Sequence, residues 1–163
     1  DVHGGAGEQC AELYYAIARK MDAGQDVQTA TDAGLTEWRA VHGKIVSGFG
    51  HRFHKPVDPR APRLMDLVRQ AASEGTVTGQ FADIGEAVQA SLSARQSIPM
   101  NIDGATAVIF CELGFPAPLS RGLFCLSRSV GILAHAWEQM QQGGRNKGPM
   151  PPAYLPRYQP PDD

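Results

Sequence analysis

Three short stretches gather residues that could do chemistry where a helix would begin or a glycine turn would open. They are "DVHGGAGE" with His3, "SGFGHRFHKPVDPR" with His51 and Arg60, and "NIDGATAV" with Asp103. His3 stands just before two glycines and a helix start. Backbone amides exposed at such a start favour a nearby negative group and keep an imidazole neutral, able to donate a hydrogen bond. In the second stretch, Ser47-Gly48-Phe49-Gly50 lets backbone approach a ligand closely, and His51 with Arg52 supplies donors. Two histidines, a lysine and two arginines fall within residues 51–60, while prolines at 56 and 59 forbid a regular helix there. In the third, a single carboxylate faces an apolar run, and burial of Asp103 would raise its pKa toward that of a working base. On spacing alone each stretch has a plainer alternative. His3 could sit in a capping loop, "GFGHR" could be a solvated basic loop, and either Asn101 or Asp103 could simply cap the helix that follows.

The elements that must hold these residues read as helices almost throughout. Glu8 to Met21 spaces Cys10, Leu13, Tyr14, Ile17 and Met21 by three and four, with Gly24 beyond its end. Val27 to His42 repeats the pattern with Ala30, Leu35, Trp38 and Val41, weakened at Gly34. A third helix runs from about Pro62, suited to a first turn, to Ser73. Phe81 to Gln96 and Asp103 to Leu113 follow, separated by Pro99. Phe115-Pro-Ala-Pro-Leu119 reads as a turn, and Ser120 to Gln142 as the longest helix. The proline-rich end from Gly143 reads as extended. No segment alternates convincingly as a strand. The expected class is all-α.

Composition narrows the partners. Apolar residues make up 42% and charged residues 20%, as in a globular chain with a real core. A net charge of -2 argues against general nucleic-acid affinity, although 51–69 is locally basic. The longest apolar run, from Gly104 to Phe110, is too short to span a bilayer. Cys10, Cys111 and Cys125 lack C-x-x-C spacing, which points to a reducing, cytoplasmic setting and no metal site. His42 reads as a favourable cation at a helix end, His135 and Trp137 as packed side chains, and the cysteines as inert. The chain begins at Asp1 without an initiator methionine or recognisable signal, which reads as the remnant of something longer.

In their order, "DVHGGAGE", "GFGHRFHKPVDPRAPRL", "NIDGATAV" and "FCLSRSVGILAHAWEQ" resemble the citrate synthase family. The resemblance runs from His3 to about Gln142. It implies a catalytic set of His3, His51 and Asp103. It further implies carboxylate-binding arginines at Arg60 and Arg128, with Arg145 as a third substrate contact near the C-terminus. It identifies Ser47, Gly48, Phe49 and Gly50 with the loop that receives coenzyme A. The implied architecture is a small helical domain over 1–113, then a long helix and extended tail over 114–163 belonging to a large domain that lies mostly upstream.

The chemistry that this resemblance implies is condensation of acetyl-CoA with oxaloacetate to citrate, with CoA as substrate and no further cofactor. A homodimer or higher homo-oligomer is implied, without nucleic acid or membrane. "NIDG", with Gly104 directly after Asp103, looks closer to the citryl-CoA lyase module of ATP-citrate lyase than to "VDFYSG"-type synthases. Gly104 is therefore expected to leave room beside Asp103, and cleavage of citryl-CoA is the alternative reaction. A non-catalytic remnant or interaction module with the same fold is a further alternative. His54, Lys55 and Arg63 carry no role in this scheme and read as a solvated rim.

Overall fold

Six helices carry the sequence patterns, in a computed structural model that describes residues 4–94 and 96–143. They are α1 (Gly5–Asp22), α2 (Val27–His42), α3 (Arg60–Ser73), α4 (Gln80–Ser93), α5 (Ile102–Glu112) and α6 (Ala117–Gln142). The fold is all-α. Among the described residues the only β pairing is an isolated antiparallel bridge between Phe49 and Met100.

Local chemistry sets most of the boundaries. Asp26 caps α2 by accepting from the Gln28 and Thr29 amides at 3.0 Å each. Gly34, which weakens the helical pattern of α2, has a packing reason. A Cβ there would lie 2.6 Å from Ile17 Cγ1, so glycine lets α1 and α2 cross closely. α4 ends at Ser93 instead of continuing to residue 96, because the Ser93 hydroxyl accepts the Ile98 amide at 3.1 Å and turns the chain. Of the expected turn at 115–119, residues 117–119 are instead the start of α6. Pro118 lies in its first turn, where the missing N–H has no intrahelical partner to lose.

α1 lies against α2, α4 and α5, while α3 covers α5 and touches α4. Its buried Cys10, Leu13, Tyr14 and Ile17 meet Ile84, Val88 and Val108 in one apolar core. Glu112, at the end of α5, accepts from the Gly79, Phe81 and Ala82 amides and so caps α4 from another helix. Arg69 of α3 bridges to Asp83 and Glu86 of α4, both at 2.7 Å.

The chain divides into two compact units, the first ending at Ser127 and the second starting at Arg128. The first holds the core, with Ala117 and Ser120 of α6 buried in it. In the second, α6 exposes Val130, Leu133, Trp137 and Met140. His135 is exposed as well. The expectation of packed His135 and Trp137 is thus corrected: no described side chain of this unit is buried. Cys10 and Cys111 are buried, whereas Cys125 is exposed. His42 stacks on Trp38 at 3.9 Å between ring centroids. The expected extended tail lies outside the described residues.

Candidate active site

The start of α5 gathers the polar residues of the second and third motifs. Loop 47–50 is stitched to the segment before α5 by backbone bonds from Gly50 N to Pro99 O at 2.7 Å and from Asn101 N to Gly48 O at 2.9 Å. The Asn101 side chain donates to the Gly50 carbonyl at 2.5 Å. Gly48 has a positive φ of 91°, and a Cβ on it would sit 2.5 Å from Cys10 Sγ. Glycine is therefore required at 48 both by conformation and by space.

Gly104 answers Gly48 from the helix. A Cβ at 104 would collide with the Gly48 carbonyl oxygen and approach Met100 Cγ at 2.7 Å. The sequence suggested that Gly104 leaves room beside Asp103. That expectation is corrected, since loop backbone already fills the space over Gly104.

Asn101, not Asp103, caps α5. Its side-chain oxygen accepts from the Asp103 amide at 2.9 Å and the Gly104 amide at 3.3 Å. This leaves the Asp103 carboxylate unspent on the helix. Half-buried, that carboxyl is held above the ordinary aspartate value, chiefly by burial. The Asp58 charge pushes the same way, while Arg60 and His51 oppose it.

Arg60 is fixed by Asp58, a residue that the sequence reading passed over. Asp58 is almost wholly buried. It accepts from Arg60 Nε and Nη2, both at 2.9 Å, and from the Arg60 amide at 3.2 Å. Its second oxygen also accepts the Ile102 amide at 3.0 Å, the first residue of α5. These bonds, led by the Arg60 guanidinium, hold the Asp58 carboxyl well below the usual carboxylate range. The available signal was the "DPR" spacing itself, an aspartate two residues before the arginine at a proline-led helix start.

His51 is oriented by its own loop. Its Nδ1 accepts from the Phe53 and His54 amides, both at 3.0 Å. A ring nitrogen accepting two N–H groups keeps its lone pair, so the neutral ring carries its proton on Nε2. That nitrogen lies 3.5 Å from Arg60 Nη2. Two donors pointing into one space, beside a carboxylate, suit a carbonyl or carboxylate oxygen.

An open cleft of about 590 Å³ continues from this cluster, lined by Gly50, His51, His54, Lys55 and the segment from Gln96 to Pro99. Of the four loop residues assigned to coenzyme A, Gly50 faces this cleft. Gly48 and Phe49 are buried in the packing, and Ser47 donates to Gln9 Oε1 at 2.7 Å. His51, Arg60 and Asp103 come together. Arg128 is exposed on α6 in the second unit. His3 and Arg145 lie outside the described residues. No trio of histidine, cysteine or acidic side chains is set to hold a metal among the described residues.

A family model described as the citrate synthase C-terminal domain matches residues 1–151. The chain belongs to the citrate synthase family. A citrate synthase of Acidithiobacillus ferridurans is 29% identical over 143 residues, covering 85% of this chain and 35% of its own length. The chain thus spans about a third of the curated relatives it matches. Among solved structures, the citryl-CoA lyase of Hydrogenobacter thermophilus is similar with a TM-score of 0.68 and 26% identity, over 98% of this chain and 59% of that one. The citrate synthase of Thermotoga maritima gives 0.61 and 28%, over 95% and 42%. The all-α architecture agrees with this family, as the opening resemblance implied. No described helix is long and apolar enough to cross a membrane.

Proposed function

We propose that the protein carrying this chain condenses acetyl-CoA with oxaloacetate, giving citrate and free CoA through citryl-CoA. The observation that carries this reading is the meeting, at the start of α5, of Asp103, whose proton affinity is raised, with Arg60 and His51 Nε2. A thioester methyl is a weak carbon acid, so its deprotonation needs a placed base and stabilisation of the enolate oxygen. Asp103 takes the methyl proton, and the resemblance assigns the donor to the enolate oxygen to His3. His51 Nε2–H donates to the ketone oxygen of oxaloacetate and makes its carbon electrophilic. The new carbon–carbon bond joins the methyl carbon to that ketone carbon, whose oxygen is protonated to the alcohol. Water then cleaves the thioester, releasing citrate and the CoA thiol.

Arg60 holds a substrate carboxylate, with Arg128 and Arg145 as further contacts on the family pattern. Ser47, Gly48, Phe49 and Gly50 form the CoA loop, with Gly50 at the cleft and the other three shaping the backbone behind it. Residues 1–113 act as the small domain and 114–163 as part of the large one, in a cytoplasmic homodimer or higher homo-oligomer with no further cofactor.

Cleavage of citryl-CoA to acetyl-CoA and oxaloacetate is the second reading, supported by the likeness to a citryl-CoA lyase and by the resemblance of "NIDG" to the lyase module. The same residues serve, since a lyase runs the bond-forming step backwards and excludes water from the thioester. The test gives full-length protein each substrate set. Thiol release from acetyl-CoA plus oxaloacetate supports the synthase. Turnover of citryl-CoA alone, with acetyl-CoA accumulating, overturns it in favour of the lyase. Silence with both leaves a non-catalytic module of the same fold.

A further inference from the structure

We infer that Asp58 is a positioning residue that joins the carboxylate-binding arginine and the proton-abstracting aspartate into one rigid piece. The inference rests on the proposed function for what Arg60 and Asp103 do, and on the geometry alone for how they are held.

The side chain of Asp58 is 0% exposed, whereas that of Arg60 is 48% exposed. A half-exposed arginine left to itself samples many rotamers, and ordering it has an entropic cost. Asp58 removes that freedom in two ways. One oxygen accepts both the Arg60 amide and Nε, and the other accepts Nη2. The guanidinium is therefore gripped along its Nε–Nη2 edge, which leaves Nη1 and the outer face of Nη2 for a substrate oxygen. The oxygen that accepts Nη2 also accepts the Ile102 amide, next in sequence to Asp103.

The first turn of α5 is thereby shared out. Ile102 N–H goes to Asp58, and the Asp103 and Gly104 N–H groups go to Asn101. All three leading amides, which have no partner within the helix, are satisfied without the Asp103 carboxylate. A negative charge at a helix start is also favourable in itself. Arg60, Asp58 and the α5 start thus move together, and an Arg60 displaced by a bound carboxylate would carry Asp103 with it.

The test uses full-length protein with Asp58→Asn, Arg60→Gln and the double variant. Asp58→Asn keeps the size of the side chain and one acceptor oxygen but loses the charge. Oxaloacetate KM is expected to rise about tenfold, with a smaller change in kcat and in acetyl-CoA KM, as for loss of a charge-assisted hold on one substrate. The double variant should lose clearly less than the sum of the two single losses, because a large part of what Asp58 does passes through Arg60. A fall in both substrates' parameters in step with a lowered melting temperature makes Asp58 a general folding residue and overturns the inference. Additive losses do the same.

A readout without substrate separates this from failure of the functional reading. The Arg60 Nε–H proton, followed by NMR in labelled protein, should exchange with water at least severalfold faster in Asp58→Asn. Unchanged exchange overturns the positioning role whatever the kinetics. Wild-type protein that does not bind oxaloacetate in calorimetry, yet shows the exchange difference, refutes the substrate assignment and keeps the positioning.

Discussion

Asp103 stands out at the scale of single residues because its surroundings work against its charge and nothing in the helix uses it. Burial raises its pKa above the ordinary value of 3.8, and the nearby Arg60 and His51 only partly offset that. A carboxyl whose folded pKa is raised binds protons more tightly folded than unfolded. Stability therefore falls as pH rises through the raised value, and the penalty is complete above it. Asp103→Asn lacks the penalty. We expect this variant to melt higher than wild type at neutral pH, with the gain disappearing below about pH 3.8. Thermal unfolding across pH checks this; an equal or lower melting temperature at pH 7 contradicts a strained, ionised Asp103. In wild type the rate should rise with pH through the same raised value, since the base must be ionised.

At the scale of elements, the glycine pair 48 and 104 locks loop 47–50 onto α5. Gly104→Ala would drive a methyl into the Gly48 carbonyl, which is backbone and cannot swing aside. A cost of about 1–3 kcal/mol is expected, typical of overpacking a filled site. Denaturant unfolding of Gly104→Ala would measure it, and a change below about 0.5 kcal/mol would mean that the loop yields easily. The sequence showed the helices well, because apolar spacing of three and four is a direct imprint of burial on one face. It showed the loop–helix lock poorly. Gly48 and Gly104 are 56 residues apart, and nothing local says that one carbonyl lies over the other. Asp58 was hidden for a related reason, since its worth depends on the Ile102 amide arriving from another helix. Asn101 was legible as one of two capping choices, and only the hydrogen bonds chose it over Asp103. His51 and Arg60 were legible as donors, but their convergence at 3.5 Å came from the fold. The helix start at Ala117 was misread because two prolines signal a turn as readily as a first helical turn.

At the scale of the whole molecule, α6 presents an apolar stripe that the described residues leave uncovered. Val130, Leu133, Trp137 and Met140 are each more than 60% exposed, at spacings of three and four. A stripe of this kind on a charged-residue-poor helix favours association. Sedimentation of the full-length protein should show a dimer or larger species, and Val130→Glu with Leu133→Glu should shift it toward monomer. A monomer at all concentrations for wild type would count against it. Whether Asp103 is the base of carbon–carbon chemistry at a CoA thioester is open to a direct measurement that does not depend on reaction direction. Acetyl-CoA is incubated in heavy water with full-length protein and a dicarboxylate that cannot condense, and loss of the methyl proton signal is followed by NMR. Wild type should exchange the methyl protons, and Asp103→Asn should slow exchange by at least about a hundredfold while binding CoA nearly as well. Exchange undiminished in Asp103→Asn would place the base elsewhere.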